Sequence, residues 1–273
     1  MEPTHSATIR VGAFIAVFAL FALWEVFGPR RDLKASKRVR WTSNLSITAI
    51  NPVVVRLLMP VLPVSVASLA QIQGWGLLNT IAVPYWAAVV TGMILLDLII
   101  YLQHVIFHAI PFLWRFHMMH HADLDFDLTT GLRFHPLELV LSTTIKLSAV
   151  AAIGVPPLGA LLFAVLLNAT SLFNHSNIRL PLAVDRILRL IVVTPEMHRV
   201  HHSVILRETN SNFGFNLPWW DRLLGTYKAQ PRMGHTGMTI GLAQFRDPAL
   251  LTLPRTLLLP FTGDPGRQPI NRH

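Results

Sequence analysis

The sequence predicts an all-α, polytopic membrane protein with four to five transmembrane helices and a helical cap, on three observations. Of 273 residues, 52% are hydrophobic and only 14% are charged, with a mean hydropathy of +0.47. A soluble domain of this length carries about 25% charged residues, so the bilayer is the natural solvent for the chain. Apolar stretches at 11–27, 45–70, 83–103, 137–155 and 158–173 are each near the roughly 20 residues a helix needs to cross hydrocarbon. Basic residues gather beyond the first stretch, as Arg30, Arg31, Lys34, Lys37, Arg38 and Arg40, where topology determinants face anionic lipid heads. The net charge of +9 therefore points to a membrane surface and away from nucleic acid, which would call for a basic, aromatic-studded polar face.

The first stretch has little positive charge before it and no small-x-small cleavage site after it, so it is expected as a retained helix and not a signal peptide. The basic segment 28–41 should be cytoplasmic, because the connections 71–82 and 154–159 on the opposite side carry no charge. This orientation puts the amino terminus outside and the carboxyl terminus inside. Pro52, Arg56, Pro60 and Pro63 interrupt the second stretch, which is read as a kinked span or a re-entrant pair. Lys146 interrupts the fourth, where a charge costs roughly 2.5–3.5 kcal/mol. That segment is either buried against protein or does not span. After His202 the chain turns mixed and turn-rich, and 250–261, apolar but broken by proline, is expected on the membrane surface. No repeat or separate soluble domain is visible. The chain reads as one membrane domain: first spans over 1–103, a cytoplasmic histidine segment over 104–136, a helical hairpin over 137–174 and a cytoplasmic cap over 175–273.

There is no cysteine, which excludes a disulfide scaffold, a thiolate metal site and a cysteine nucleophile together. There are thirteen histidines, most of them clustered. His104-Val-Ile-Phe-His108 closes the third stretch, His117-Met-Met-His120-His121 follows, His175 stands alone after the fifth stretch, and His198-Arg-Val-His201-His202 comes last. Residues three and four apart on a helix share a face. His104 and His108 can thus serve one metal, while each HxxHH triplet can serve one metal or straddle two. All these histidines fall on one predicted membrane side, so the cap is expected to hold a histidine-rich two-metal site. Imidazole suits zinc, copper, iron and nickel alike, which leaves the metal open.

Asp97, Tyr101, His104 and His108 share one helical face. A carboxylate within an apolar span is expensive. Asp97 is expected to accept the free N–H of a ligating histidine, or to partner a polar group of a neighbouring helix. In Arg133-Phe-His-Pro-Leu-Glu138, Pro136 and Glu138 suit a helix start. His135 is either a further ligand or an auxiliary donor. The run Asp123-Leu-Asp-Phe-Asp127 lacks the glycine and terminal glutamate of a calcium loop. It reads as a solvated turn, with Asp123 its member nearest the site. Asn174 and Asn177, flanking His175, are ligands, water anchors or plain turn residues. There is no HExxH helix, glycine-rich phosphate cradle, GxSxG elbow or His-Pro-Gly-Gly haem segment.

Over roughly 97–227 the sequence resembles the fatty acid hydroxylase/sterol desaturase superfamily of membrane di-iron enzymes. His104-x-x-x-His108, His117-x-x-His120-His121 and His198-x-x-His201-His202 match its three histidine boxes in order and spacing. Leu132-Arg-Phe-His-Pro-Leu-Glu138, Asn174-His-Ser-Asn-Ile178, Thr194-Pro-Glu-Met-His-Arg-Val-His-His202 and Trp220-Asp-Arg-Leu-Leu-Gly-Thr-Tyr227 are similar to bacterial members. One departure matters: some members carry another HxxxH pair before the last box, and here Arg179 stands four residues after His175, leaving His135 or a water to complete the ligand set.

The resemblance implies a pair of iron ions, with zinc a substitute in purified protein, that uses O2 to hydroxylate or desaturate a C–H bond of a fatty acyl, sterol or related lipid. It also implies a separate electron donor, a ferredoxin or a cytochrome and reductase, and a bacterial inner membrane with the metals on the cytoplasmic side. Trp114, Phe116, Phe134, Phe173, Phe213 and Trp219 are candidates to line the lipid slot. Two other classes compete: a zinc-dependent membrane hydrolase or isomerase, and a metal-ion transporter, whose ligands should lie near the bilayer midplane.

Overall fold

The computed structural model describes residues 3–266, and among them it is helical throughout apart from two isolated β-bridges. In order the helices are α1 (Pro3–Phe27), α2 (Lys37–Leu58), α3 (Pro63–Gln73), α4 (Leu77–Thr80), α5 (Tyr85–Ala109), α6 (Pro111–His121), α7 (Pro136–Ile153) and α8 (Pro157–Asn174). The short α9 (Leu182–Leu188), α10 (Pro195–His201), α11 (Leu206–Thr209), α12 (Trp219–Leu223), α13 (Gly234–Gly237) and α14 (Leu253–Thr262) follow. Five segments are long and apolar enough to cross a membrane: His5–Phe27, Lys37–Thr80, Tyr85–Ala109, Pro136–Ile153 and Pro157–Asn174. The protein is an integral membrane protein.

Proline opens α3, α6, α7, α8 and α10 in their first turns, where its missing N–H would be unsatisfied in any case. Prolines also divide the second stretch. The chain breaks between Leu58 and Pro63, leaving α2 and α3 as separate helices within the candidate span Lys37–Thr80. Met59 at the break meets the hydroxyl of Thr144, halfway along α7 (3.8 Å). Beyond α3, Gly76 (φ 88°) crosses the end of α7 so closely that a Cβ there would lie 2.2 Å from the Gly154 nitrogen.

The core between α3, α5, α7 and α8 is apolar, built on Leu96, Ile100, Val150, Leu161 and Phe163. The opposite end, where α1, α5 and α8 finish and α7 begins, is stitched by buried polar groups. Glu25 Oε1 accepts from Leu128 N (2.8 Å) and Asn177 N (2.7 Å), fixing the end of α1. Arg40 donates to Asp123 (2.6 and 2.9 Å) and Asp127 (2.5 Å), and all three side chains are fully buried. Asp123 is therefore a structural partner of Arg40 and a member of neither histidine group, and the acidic run is buried instead of solvated. The carboxylates sit at the one guanidinium that offsets their desolvation. The α14 helix buries Thr256 and Leu259 against α6 and α2 and leaves Leu258 and Phe261 exposed.

Candidate metal centre

Four helix ends deliver the histidines. His104 and His108 lie in the last turns of α5, and His117, His120 and His121 close α6. His175 caps α8, and His198 and His201 lie on α10 with His202 as its cap. Thr194 accepts from Met197 N (3.3 Å) to start α10 beside them.

All nine rings are buried and fall into two groups, with ligand nitrogens within 4.8 Å of one another in each. The first holds His104, His108, His117, His121 and His201; the second holds His120, His175, His198 and His202. The two triplets divide reciprocally. His117 and His121, one turn apart, join the first group and send His120 to the second. His198 and His202 join the second and send His201 to the first. Each triplet straddles both groups.

The geometry fits a metal pair. Two nitrogens about 2.1 Å from one ion and at right angles are about 3.0 Å apart. The Nε2 atoms of His104 and His117 are 3.1 Å apart, those of His108 and His121 3.2 Å, those of His120 and His175 3.2 Å, and those of His175 and His198 3.0 Å. Tautomers sharpen the fit. A carbonyl can only accept, so His104 Nδ1 donates to Phe213 O (2.8 Å), His201 Nδ1 to Ser211 O (2.8 Å) and His175 Nδ1 to Ser171 O (2.9 Å). Their Nε2 lone pairs are then left facing the groups. His117 Nδ1 meets the buried carboxylate of Glu138 (2.7 Å), so with Glu138 ionised the close Nε2 atoms of His104 and His117 present two lone pairs to each other. A shared cation relieves that repulsion. The Nε2 atoms of His201 and His202 are buried with no protein partner.

Burial holds the imidazoles of His117 and His175 down to about 3. It drives those of His120, His121, His198, His201 and His202 well below the ordinary histidine range, with the neighbouring histidines adding to the effect. The rings are neutral at physiological pH, as ligands must be. Phe213 stands edge-on to His104, His108 and His201, Phe134 stacks on His120 (4.4 Å, 12°), and Trp114 packs on His108 and His121. The Phe173 ring packs on Phe21 instead, and the Trp219 indole donates to Leu190 O.

Asp97, Tyr101 and His135 stand outside both groups. Asp97 accepts from Asn216 N (3.3 Å), Asn216 Nδ2 (2.8 Å), Leu217 N (3.1 Å) and Trp220 Nε1 (2.9 Å), so it clamps the 216–220 loop and bonds to no histidine. Tyr101 donates to Thr226 (2.8 Å), which bonds Asp221, and Asp221 in turn accepts from Phe213 N and Gly214 N. Asp97 and Tyr101 thus hold the loop whose Phe213 carbonyl orients His104. His135 belongs to neither group: its Nδ1 accepts from Leu137 N (3.2 Å) as the cap of α7, and its ring packs between Phe116 and Phe261. Asn174 donates to Phe215 O and Asn177 pairs with the Arg31 backbone, so both are loop fasteners.

Among the described residues, the carboxylate that reaches a histidine of the two groups is Glu138, taken from sequence only as a helix-start residue. An acidic side chain in the first turn of an apolar helix at the histidine end was the available signal. Asn210, whose Oδ1 meets His108 Nδ1 (3.1 Å), carried none.

Comparison with known proteins agrees with this arrangement. A family model described as fatty acid hydroxylase matches residues 89–226, just over half the chain and all nine grouped histidines. The chain is 33% identical over 158 residues to ornithine lipid hydroxylase OlsE of Rhizobium tropici, covering 58% of this chain and 46% of that protein. It is 30% identical over 142 residues to human alkylglycerol monooxygenase (51% and 30% covered). It is 28% identical over 141 residues to rat cholesterol 25-hydroxylase (51% and 46% covered). The chain thus spans less than half the length of each of these relatives. No solved structure matches it. On the extent of the family match, with every box in order, the chain belongs to the fatty acid hydroxylase family.

Proposed function

We propose that the chain is an O2-dependent lipid hydroxylase whose two histidine groups hold two iron ions. The observation that carries this reading is the convergence of nine buried imidazoles from α5, α6, α8 and α10 into two adjoining groups. In the first group His104, His108, His117, His121 and His201 would be the ligands; in the second, His120, His175, His198 and His202. Bound iron would supply the activation of O2 and the oxidation of an unactivated C–H bond. The protein's part is to hold neutral ligands in fixed tautomers, exclude water and present a lipid.

A cavity of about 210 Å³ between α5, α6 and α7 supports the lipid reading. Its walls include Phe107, Phe112, Phe116 and Leu137, and its polar end is Glu138, already bonded to His117. Phe112 and Leu137 are exposed on the outer surface, so an apolar chain enters there without crossing water. Hydroxylation is favoured over desaturation because the relatives named above are hydroxylases and monooxygenases. On this reading a separate donor, a ferredoxin or a cytochrome with its reductase, supplies electrons, and the histidine end faces the cytoplasm of a bacterial inner membrane. The ligands gather at one end of the helical bundle and not at its midplane, which argues against a metal transporter.

Metal analysis of anaerobically purified protein, joined to lipid profiling of a deletion strain, tests this. Two irons per chain and the loss of an oxygen atom from one lipid class are expected. Zinc with O2-independent turnover would instead establish a hydrolase or isomerase.

A further inference from the structure

Away from the histidines, the bilayer part of the protein holds two cations that the proposed chemistry does not use. Lys146 on α7 and Arg10 on α1 line one cavity of about 80 Å³, walled otherwise by residues including Leu96, Val150 and Phe163 and by the amide-bearing Asn168. At 1.5 Å per residue, each cation lies about 10 Å inside the end of its helix remote from the histidines, with Phe163 at a matching depth on α8. The Nε of Arg10 is buried without a partner. Among the described residues neither group forms an ion pair with a carboxylate.

Two like charges sharing a small space inside hydrocarbon repel each other, and each is costly there alone. An anion between them offsets both terms. The apolar walls select one carried on a greasy tail, and the volume admits an oxyanion but not a whole headgroup.

We infer that this cavity binds the oxyanion, phosphate or carboxylate, of a lipid from the leaflet remote from the histidine end. The site is separate from the metal groups and holds a lipid as a bound component of the fold, not as substrate.

The full-length protein, stripped of lipid in neutral detergent, is titrated with phosphatidylglycerol, oleate, phosphatidylcholine or inorganic phosphate. Native mass spectrometry and the unfolding temperature are read. Phosphatidylglycerol and oleate should bind at least about tenfold more tightly than phosphatidylcholine and raise the unfolding temperature. Lys146→Met and Arg10→Gln should each lose that preference, and Lys146→Arg should keep it. The metal content of the histidine groups serves as the folding control and should be unchanged in all three. Equal binding of the anionic and zwitterionic lipids, or an intact preference in the double variant, overturns the proposal. So does inorganic phosphate alone producing the whole effect, since the ligand is then a free ion and not a lipid. Hydroxylation and metal content are read separately, so failure here leaves the proposed activity standing.

Discussion

The two histidine groups are built alike in ligand type and differently in support. In the first, four of five rings have Nδ1 held by a named partner: Phe213 O, Asn210 Oδ1, Glu138 Oε1 and Ser211 O for His104, His108, His117 and His201. In the second, His175 is held by Ser171 O, whereas Nδ1 of His120, His198 and His202 is buried without a protein partner among the described residues. A ring whose tautomer and orientation are set in advance loses less on binding metal. The first group should therefore bind its ion more tightly, and the second should be the labile partner.

The strongest way to break this comparison is to delete one ligand from each group. Replacing His108 or His198 by alanine should reduce hydroxylation to background, because the proposed chemistry needs both ions. Metal content should separate them: His198→Ala should keep one iron per chain, in the first group. Equal loss of both irons from either variant would make the nine rings a single inseparable site.

Glu138→Gln comes next. It puts an amide of the same size in place of the carboxyl that meets His117 Nδ1, and should cost about 10–100-fold in iron retention or turnover. An unaffected enzyme would reduce Glu138 to packing. Timed chelation of the wild-type protein should then release iron in two phases, the first with half the metal; one phase would mean equal affinities.

Asp97→Asn should act more weakly on chemistry, since Asp97 reaches His104 only through the 213–221 loop. Each Asp97 oxygen takes two of the four donors, so the new amide nitrogen leaves two unmatched at about 1–3 kcal/mol each, read as a lower unfolding temperature with both irons in place. Loss of iron would return Asp97 to the metal centre.

The smallest effect at working pH comes from the scaffold. The Asp123 carboxyl, against the burial that would raise it, is held down to about 2 by the Arg40 guanidinium. A lowered folded value means stability that is present above the ordinary value near 4 and is lost as pH falls toward 2. That amounts to about 2 kcal/mol. Thermal unfolding followed from pH 5 to pH 2 should show a steeper acid slope in the wild-type protein than in Asp123→Asn, where Glu196, held down to about 2 against its burial by Arg199 and Arg30, still contributes.

Several of these features were legible in sequence. The spans declared themselves by apolar length, and prolines marked five helix starts. The i, i+4 spacing of His117 with His121 and of His198 with His202 kept each pair on one face. Asp97 was recognised as a carboxylate that a span must justify, but its donors come from residues 216–220, over a hundred positions away. His135 read from sequence as a further ligand or an auxiliary donor, and capping α7 turns its ring toward Phe261. The carbonyls of Ser211 and Phe213, which fix two tautomers, belong to the backbone, and no side-chain pattern announces a backbone acceptor.

By itself the sequence determined an all-helical membrane chain with clustered imidazoles at the end of its spans, because apolar length and helical period are local properties. Tertiary structure decided which histidines share an ion, which acceptor orients each ring, and that Glu138 stands beside His117 where Asp97 was expected. Those outcomes depend on how α5, α6, α8 and α10 are rotated and docked against one another. Packing among distant segments sets that docking, and it leaves no periodic trace in any one of them.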